Sequence, residues 1–250
     1  MALRTLRLVL AYDGTAYNGW QVQPSQPTVQ GLLAEACRRL FGEPLRLVGA
    51  SRTDAGVHAL GQVASLHVES RLHPLAVRSA VNSYLPPDIR VLAVADAPPG
   101  FDARRSAVSK RYAYLIDSGP VPNPLLRRYA WHIAHPLAPE AMTAELRALR
   151  GKHDFSAFCA AAGRGRTPTC TLFSGRLLSR RGMVAVVLSG DSFLHHMVRN
   201  VVGSLVEIGR GNRGPGWMAE LLAGRDRRRG GPTAPAHGLT LLRVSYPYPS

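Results

Sequence analysis

Lysine is almost missing from this 250-residue chain: Lys110 and Lys152 are the only two, and the other 29 basic residues are arginine. Acidic residues are few as well, 16 against 31 basic, which leaves a formal charge of +15 and a sequence pI near 10.9. Codon usage in a GC-rich genome accounts for arginine in place of lysine but not for the excess of positive charge. That excess favours a polyanionic partner, nucleic acid first, and arginine's planar fork suits bidentate phosphate contacts and stacking on bases. Cysteine is scarce too. Cys37, Cys159 and Cys170 are odd in number and show neither Cys-x-x-Cys nor Cys/His ligand spacing, which argues against a disulfide framework or a zinc site and for reduced, buried thiols. No apolar run reaches the length of a transmembrane helix. The opening MALRTLRLVLAYDG lacks the apolar stretch and small-residue cleavage site of a signal peptide, so a cytoplasmic protein without membrane association is expected.

Several catalytic patterns are absent. The string GRGNRG, residues 209–214, matches G-x-G-x-x-G, but a helical stretch precedes it where the dinucleotide fingerprint needs a strand, so it is read as a helix end and turn, with no NAD or FAD. The same lack of a nucleotide-binding glycine loop argues against a methyltransferase, and the missing Cys/His spacing against a zinc deaminase. Nine histidines contain no HExxH, and adjacent His195 and His196 point apart on a helix. No cluster of acids offers to hold magnesium for a nuclease.

Strand signals do recur, at residues 5–12, 90–95, 110–116, 129–134, 183–189 and 239–246. Helical ones alternate with them: residues 28–41 place Val29, Leu32, Leu33, Ala36 and Leu40 at helical spacing, with Thr28 to cap and Glu35 to pair with Arg39. Others lie at 74–85, 139–151 and 215–224, and around Arg199, where Leu194, Val198, Val201, Val202 and Leu205 form an apolar face. Without a regular strand-helix-strand beat, the expected fold class is α+β, a largely antiparallel sheet flanked by helices. Proline and glycine cluster at DAPPGFD and DSGPVPNP, which divides the chain into lobes 1–104 and 105–250, and a cleft between lobes commonly holds a ligand. Two arginine-rich loops, GRGRTP (163–168) and GRDRRRGGP (224–232), together point to phosphate contacts.

The stretch GASRTDAGVHALGQVASLHV, residues 49–68, reads as a strand on its right, with Val63, Leu66 and Val68, and packs Arg52, Thr53, Asp54, Gly56 and His58 into its left. Asp54 has no second acid nearby in sequence, which argues against a glycosidase-like carboxylate pair. Two readings stand: an aspartate that caps a turn, with Gly56 at positive φ, or a carboxylate whose charged form the neighbouring arginine favours, suited to a nucleophile or electrostatic stabiliser.

The string SRTDAGVHALGQV resembles the signature segment of the pseudouridine synthases, specifically the tRNA pseudouridine synthase A family. The likeness continues along nearly the whole chain, in YDGTAYNGWQVQ, NSYLPPDIRV, FDARRSAVSKRYAYLI, HDFSAF, GDSFLHHMVRNVVGSLVEIGRG and GPTAPAHGLTLLRVSYP. It departs at Asp102, where many relatives have histidine after the phenylalanine. The resemblance implies the pseudouridine synthase fold, two lobes with a catalytic cleft between them, and isomerisation of uridine to pseudouridine without cofactor or metal. It implies tRNA as substrate, at positions 38, 39 and 40 of the anticodon stem-loop, and a homodimer. Carried over by position, the catalytic aspartate falls on Asp54 and the pocket arginines on Arg52 and Arg199, with Arg199 expected to pair with Asp54. The active-site tyrosine falls on Tyr112, expected to stack on the flipped base. His58, Arg164 and Arg166 are the further candidates for substrate contact. The rival reading is a non-catalytic basic RNA-binding protein in which Asp54 only caps a turn.

Overall fold

A computed structural model describes residues 3–42, 46–160 and 168–247. The chain forms two compact units, one of Met1–Val108 with Leu241–Ser250 and one of Ser109–Thr240.

The first unit runs β1 (Leu3–Tyr12), α1 (Val29–Phe41), β2 (Arg46–Gly49), β3 (His58–Glu69), α2 (Pro74–Tyr84) and β4 (Ile89–Asp96). In β1 every second residue faces the core: Leu6, Leu8 and Leu10 have no exposed surface, and each stabilises the fold by about 2 kcal/mol. β1 lies between β3 and β4, antiparallel to both, and β2 is antiparallel to β3. Helix α1 begins as its sequence predicts, with Gly31 N donating to Thr28 Oγ1 at 3.3 Å, and Glu35 pairs with both Arg38 and Arg39 in the last turn. Its buried stripe is Val29, Leu33, Ala36 and Cys37, the i, i+4, i+7, i+8 pattern of one helix face. Asn82 of α2 clasps β4, its amide bonded to both the N–H and the carbonyl of Val91.

Burial of Cys37 pushes its thiol up to about 12, about a thousandfold fewer thiolates near neutral pH than an ordinary cysteine has. Cys159 and Cys170 are buried as well. The native protein is therefore expected to react only slowly with a thiol reagent at pH 8 and promptly in denaturant. Rapid native labelling of Cys37, read by peptide mass spectrometry, would contradict this packing.

The second unit runs β5 (Ser109–Asp117), β6 (Trp131–His132), α3 (Pro139–Arg147), β7 (Gly151–Asp154), β8 (Thr169–Arg180), β9 (Met183–Gly190), α4 (Met197–Gly209) and α5 (Trp217–Gly224). β9 pairs antiparallel with β5 and β8, and β8 with β7, while β6 adds a short parallel pair to the end of β5. The last strand, β10 (Leu239–Ser245), enters the first unit at Leu241 and lies beside β3. Fold class is thus α+β with mostly antiparallel pairing, as the pattern of elements predicts. Among the described residues, no helix is long and apolar enough to cross a membrane.

Where expectation and structure differ, the backbone gives the reason. The strand expected at 129–134 is only Trp131–His132, because Tyr129 and Ala130 donate back to Leu126 O and stay in a turn. The helix from Pro139 stops at Arg147, where Leu149 and Arg150 make tighter i→i−3 bonds before the chain turns at Gly151. Helix α4 buries every residue except Arg199 and Glu207, so it is enclosed on all sides rather than carrying one apolar face. It ends at Gly209, with Gly211 at φ 76°, the turn expected from GRGNRG.

Candidate active site

The β2–β3 ladder ends where Ala50 N donates to Val63 O at 2.8 Å, and residues 51–57 leave the sheet before β3 begins. The excursion is a turn: Val57 N donates to Asp54 O at 3.2 Å, with Gly56 at φ 75°, a backbone that glycine adopts at little cost. Side chains in it alternate, Arg52 exposed, Thr53 buried and Asp54 half-buried. Asp54 therefore does head a turn, as one of the two sequence readings has it, and the turn closes on its backbone carbonyl.

The loop YDGTAYNGW cradles this turn. Trp20 N donates to Thr53 O at 3.0 Å and Gly56 N to Tyr17 O at 3.2 Å. The backbones approach so closely that a Cβ on Gly19 would stand 2.5 Å from Thr53 O, and one on Gly14 2.0 Å from Val57 O. The cradle is fixed in turn: Tyr17 donates its hydroxyl to Asp88 Oδ1 at 2.5 Å, and burial, then that carboxylate, raises the hydroxyl's pKa. His58 is buried, 4% exposed; Gly14 N donates to its Nδ1 at 3.0 Å, and Asp13 Oδ1 stands 3.1 Å from the same nitrogen. The sequence reading of His58 as a substrate contact thus meets a ring set against the Gly14 loop. Gly14→Ala is expected to force the loop off the turn, costing about 2 kcal/mol and most of the activity. A variant with unchanged melting temperature and turnover would contradict the packing.

Tyr112 and Arg199 belong to the second unit. Tyr112, Tyr114 and Ile116 share the buried face of β5. Tyr112 meets Phe193 edge-on, ring centroids 5.1 Å apart. Tyr114 is a core aromatic that donates its hydroxyl to Pro235 O at 2.7 Å; burial raises its pKa and the Arg199 charge opposes that. Arg199 is anchored through Nε, which donates to Ala234 O at 2.8 Å, while Ala234 N donates back to Arg199 O at 3.2 Å.

Arg164 and Arg166, the candidates in GRGRTP, lie outside the described residues. In the other arginine loop the side chains find acceptors within the unit: Arg225 stands 3.4 Å from Asp154, and Arg228 pairs with Asp226 at 2.9 Å. Arg227 turns inward to Asn200 Oδ1 and Thr233 Oγ1. Arg225 and Arg228 remain well exposed, and such pairs exchange readily for phosphate. Sequence reasoning passed over Phe193, Asn200 and Gln62. Of these only Gln62 left a local signal, an amide among the small and apolar residues of ALGQVA.

A strongly basic chain with an arginine and a carboxylate on one braced turn suits an enzyme that acts on RNA. The family model described as tRNA pseudouridine synthase matches residues 8–104 and 146–247, and the chain belongs to that family. Asp54 lies in the first matched segment and Arg199 in the second, with Tyr112 between them. The tRNA pseudouridine synthase A of Chloroflexus aurantiacus is 45% identical over 98% of this chain and 90% of its own length. The same-named proteins of Pelobacter propionicus (43%, covering 98% and 100%) and Moorella thermoacetica (45%, covering 96% and 99%) are comparably similar. Among solved structures, a Cbf5-Nop10-Gar1 complex overlaps 94% of this chain and 48% of that chain, with a TM-score of 0.42 and 11% identity. The family isomerises uridine to pseudouridine in tRNA, so the chain is an isomerase and the non-catalytic alternative is set aside.

Proposed function

We propose that this isomerase acts on uridines 38, 39 and 40 in the anticodon stem-loop of tRNA, with Asp54 as its nucleophile. The observation that carries the reading is the braced turn, which fixes a half-buried carboxylate beside an exposed arginine in a chain of this family. In the reaction the N1–C1′ bond breaks, the uracil turns, and a C5–C1′ bond forms. The C5 hydrogen leaves as a proton and N1 gains one, so no redox partner is required. Arg52 and Arg199 supply positive charge to the reacting centre, and Tyr112 offers a flat face to the extruded base. His58 holds the Gly14 loop against the turn, and Arg164 and Arg166 belong to the RNA-contacting surface. The enzyme works as a homodimer in the cytoplasm, and its charge of +15 draws tRNA through phosphate contacts that read shape more than sequence.

Pseudouridine mapping on unmodified tRNA treated with the purified protein tests the site choice. Modification confined to positions 38, 39 and 40 is expected. Modification elsewhere in the tRNA, with those three untouched, would overturn it.

A further inference from the structure

We infer that Gln62 is a positioning residue for Asp54: its side-chain amide supplies the rung that the β2–β3 ladder lacks at Ser51 and, through Tyr12, braces Thr53. The inference rests on the assignment of the chemistry to Asp54.

Backbone pairing of β2 with β3 runs from Arg46 opposite His67 to Gly49 opposite Ala64. One residue past the Ala50 bond the chain departs, and Ser51, only 8% exposed, has peptide groups that need partners away from water. Gln62 has no exposed surface. Its Oε1 accepts from Ser51 N at 3.2 Å, and its Nε2 donates to Ser51 O at 2.7 Å. A primary amide carries the same donor and acceptor as a peptide group, so the side chain continues the ladder while the main chain is released into the turn.

The second N–H of Gln62 donates to the Tyr12 hydroxyl at 3.4 Å. That hydroxyl stands 2.8 Å from Thr53 Oγ1 in a buried hydrogen bond. Two of the three residues before Asp54 are thereby tied to one amide. An amide in the strand stretch ALGQVAS carries a desolvation cost that an apolar residue would avoid; beside a bond accepted from Val63 N at 3.2 Å, its bonds go to Ser51 and to the tyrosine that braces Thr53. What the amide secures is the place from which the carboxylate projects, and a displacement of about 1 Å at such a group costs about a hundredfold in rate.

The test is Gln62→Met, which keeps length and apolar volume but removes the amide, assayed by tritium release from tRNA labelled at uridine C5 alongside Asp54→Asn. Expected is a kcat lower by about 30- to 100-fold, with KM and tRNA affinity within about twofold of the parent. A merely structural role lowers the melting temperature yet leaves the rate per folded molecule unchanged. Thr53→Val is expected to lose about tenfold in kcat and Thr53→Ser to restore it. A folded Gln62→Met with kcat within about threefold of the parent, beside an inactive Asp54→Asn, overturns the positioning role alone. An active Asp54→Asn overturns the assignment of Asp54 and this inference with it. Should Gln62→Met fail to fold, Tyr12→Phe decides: a drop of about tenfold or more in kcat supports the role, and an unchanged kcat overturns it.

Discussion

Asp54→Ala is expected to release no measurable tritium from tRNA labelled at uridine C5, a fall in turnover of about 10⁴-fold or more, while binding tRNA as tightly as the parent. The two halves of this result have different causes. Turnover is expected to depend on that single carboxylate, because no second acid lies near Asp54 in sequence to take over. Affinity depends on the summed field of a chain carrying +15, and counterion release at phosphate contacts is insensitive to one half-buried side chain. The alanine also leaves the turn in place, since the turn closes on the backbone carbonyl of residue 54 and on glycine at position 56. Residual turnover within about tenfold of the parent would remove Asp54 from the chemistry. Equal loss of binding and turnover would mean that the turn had collapsed.

The largest expected effect on stability lies in the second unit, at Asn200. This side chain has no exposed surface. Its Nδ2 donates to Phe158 O at 2.8 Å, and its Oδ1 accepts from Arg227 at 3.0 Å and from the Thr233 hydroxyl at 2.7 Å. Ser204, one turn further along α4, continues the network by accepting from Gly231 N at 3.0 Å. Asn200→Ala would leave a buried carbonyl, a hydroxyl and a half-buried guanidinium short of partners. The expected cost is about 3 kcal/mol, seen as a fall of about 10 °C in melting temperature by calorimetry. A loss under about 1 kcal/mol would show that the network contributes little beyond filling space.

The same network explains why part of the molecule was not legible in the sequence. Helix α1 was readable because its cap, its charge pair and its apolar stripe are all local, and β1 because its alternation has period two. Helix α4 was readable as a helix but not as an enclosed one: Asn200, Gly203 and Ser204 look like the polar side of an amphipathic helix until the segment around Gly231 and Pro232 packs against them. Strand β8 was missed because its register shifts between Leu172 and Ser174, and a bulge breaks the alternation on which strand reading depends. Four-residue β2 and β7 are too short to show a period. Asp54 itself was legible through its motif, but not its supports. The bonds from Gln62, Tyr12 and the Gly14–Gly19 loop join residues up to 71 positions apart, a distance over which no local pattern operates.

The unit that contains Asp54 is assembled from both ends of the described chain, with the second unit inserted between β4 and β10. On the ribosome, β3 waits for its neighbour β10 until residues 241–245 have emerged, after the whole of the inserted unit. The sheet of the unit that carries Asp54 is therefore completed last, and a ribosome stalled shortly before that point displays β3 with an unpaired edge.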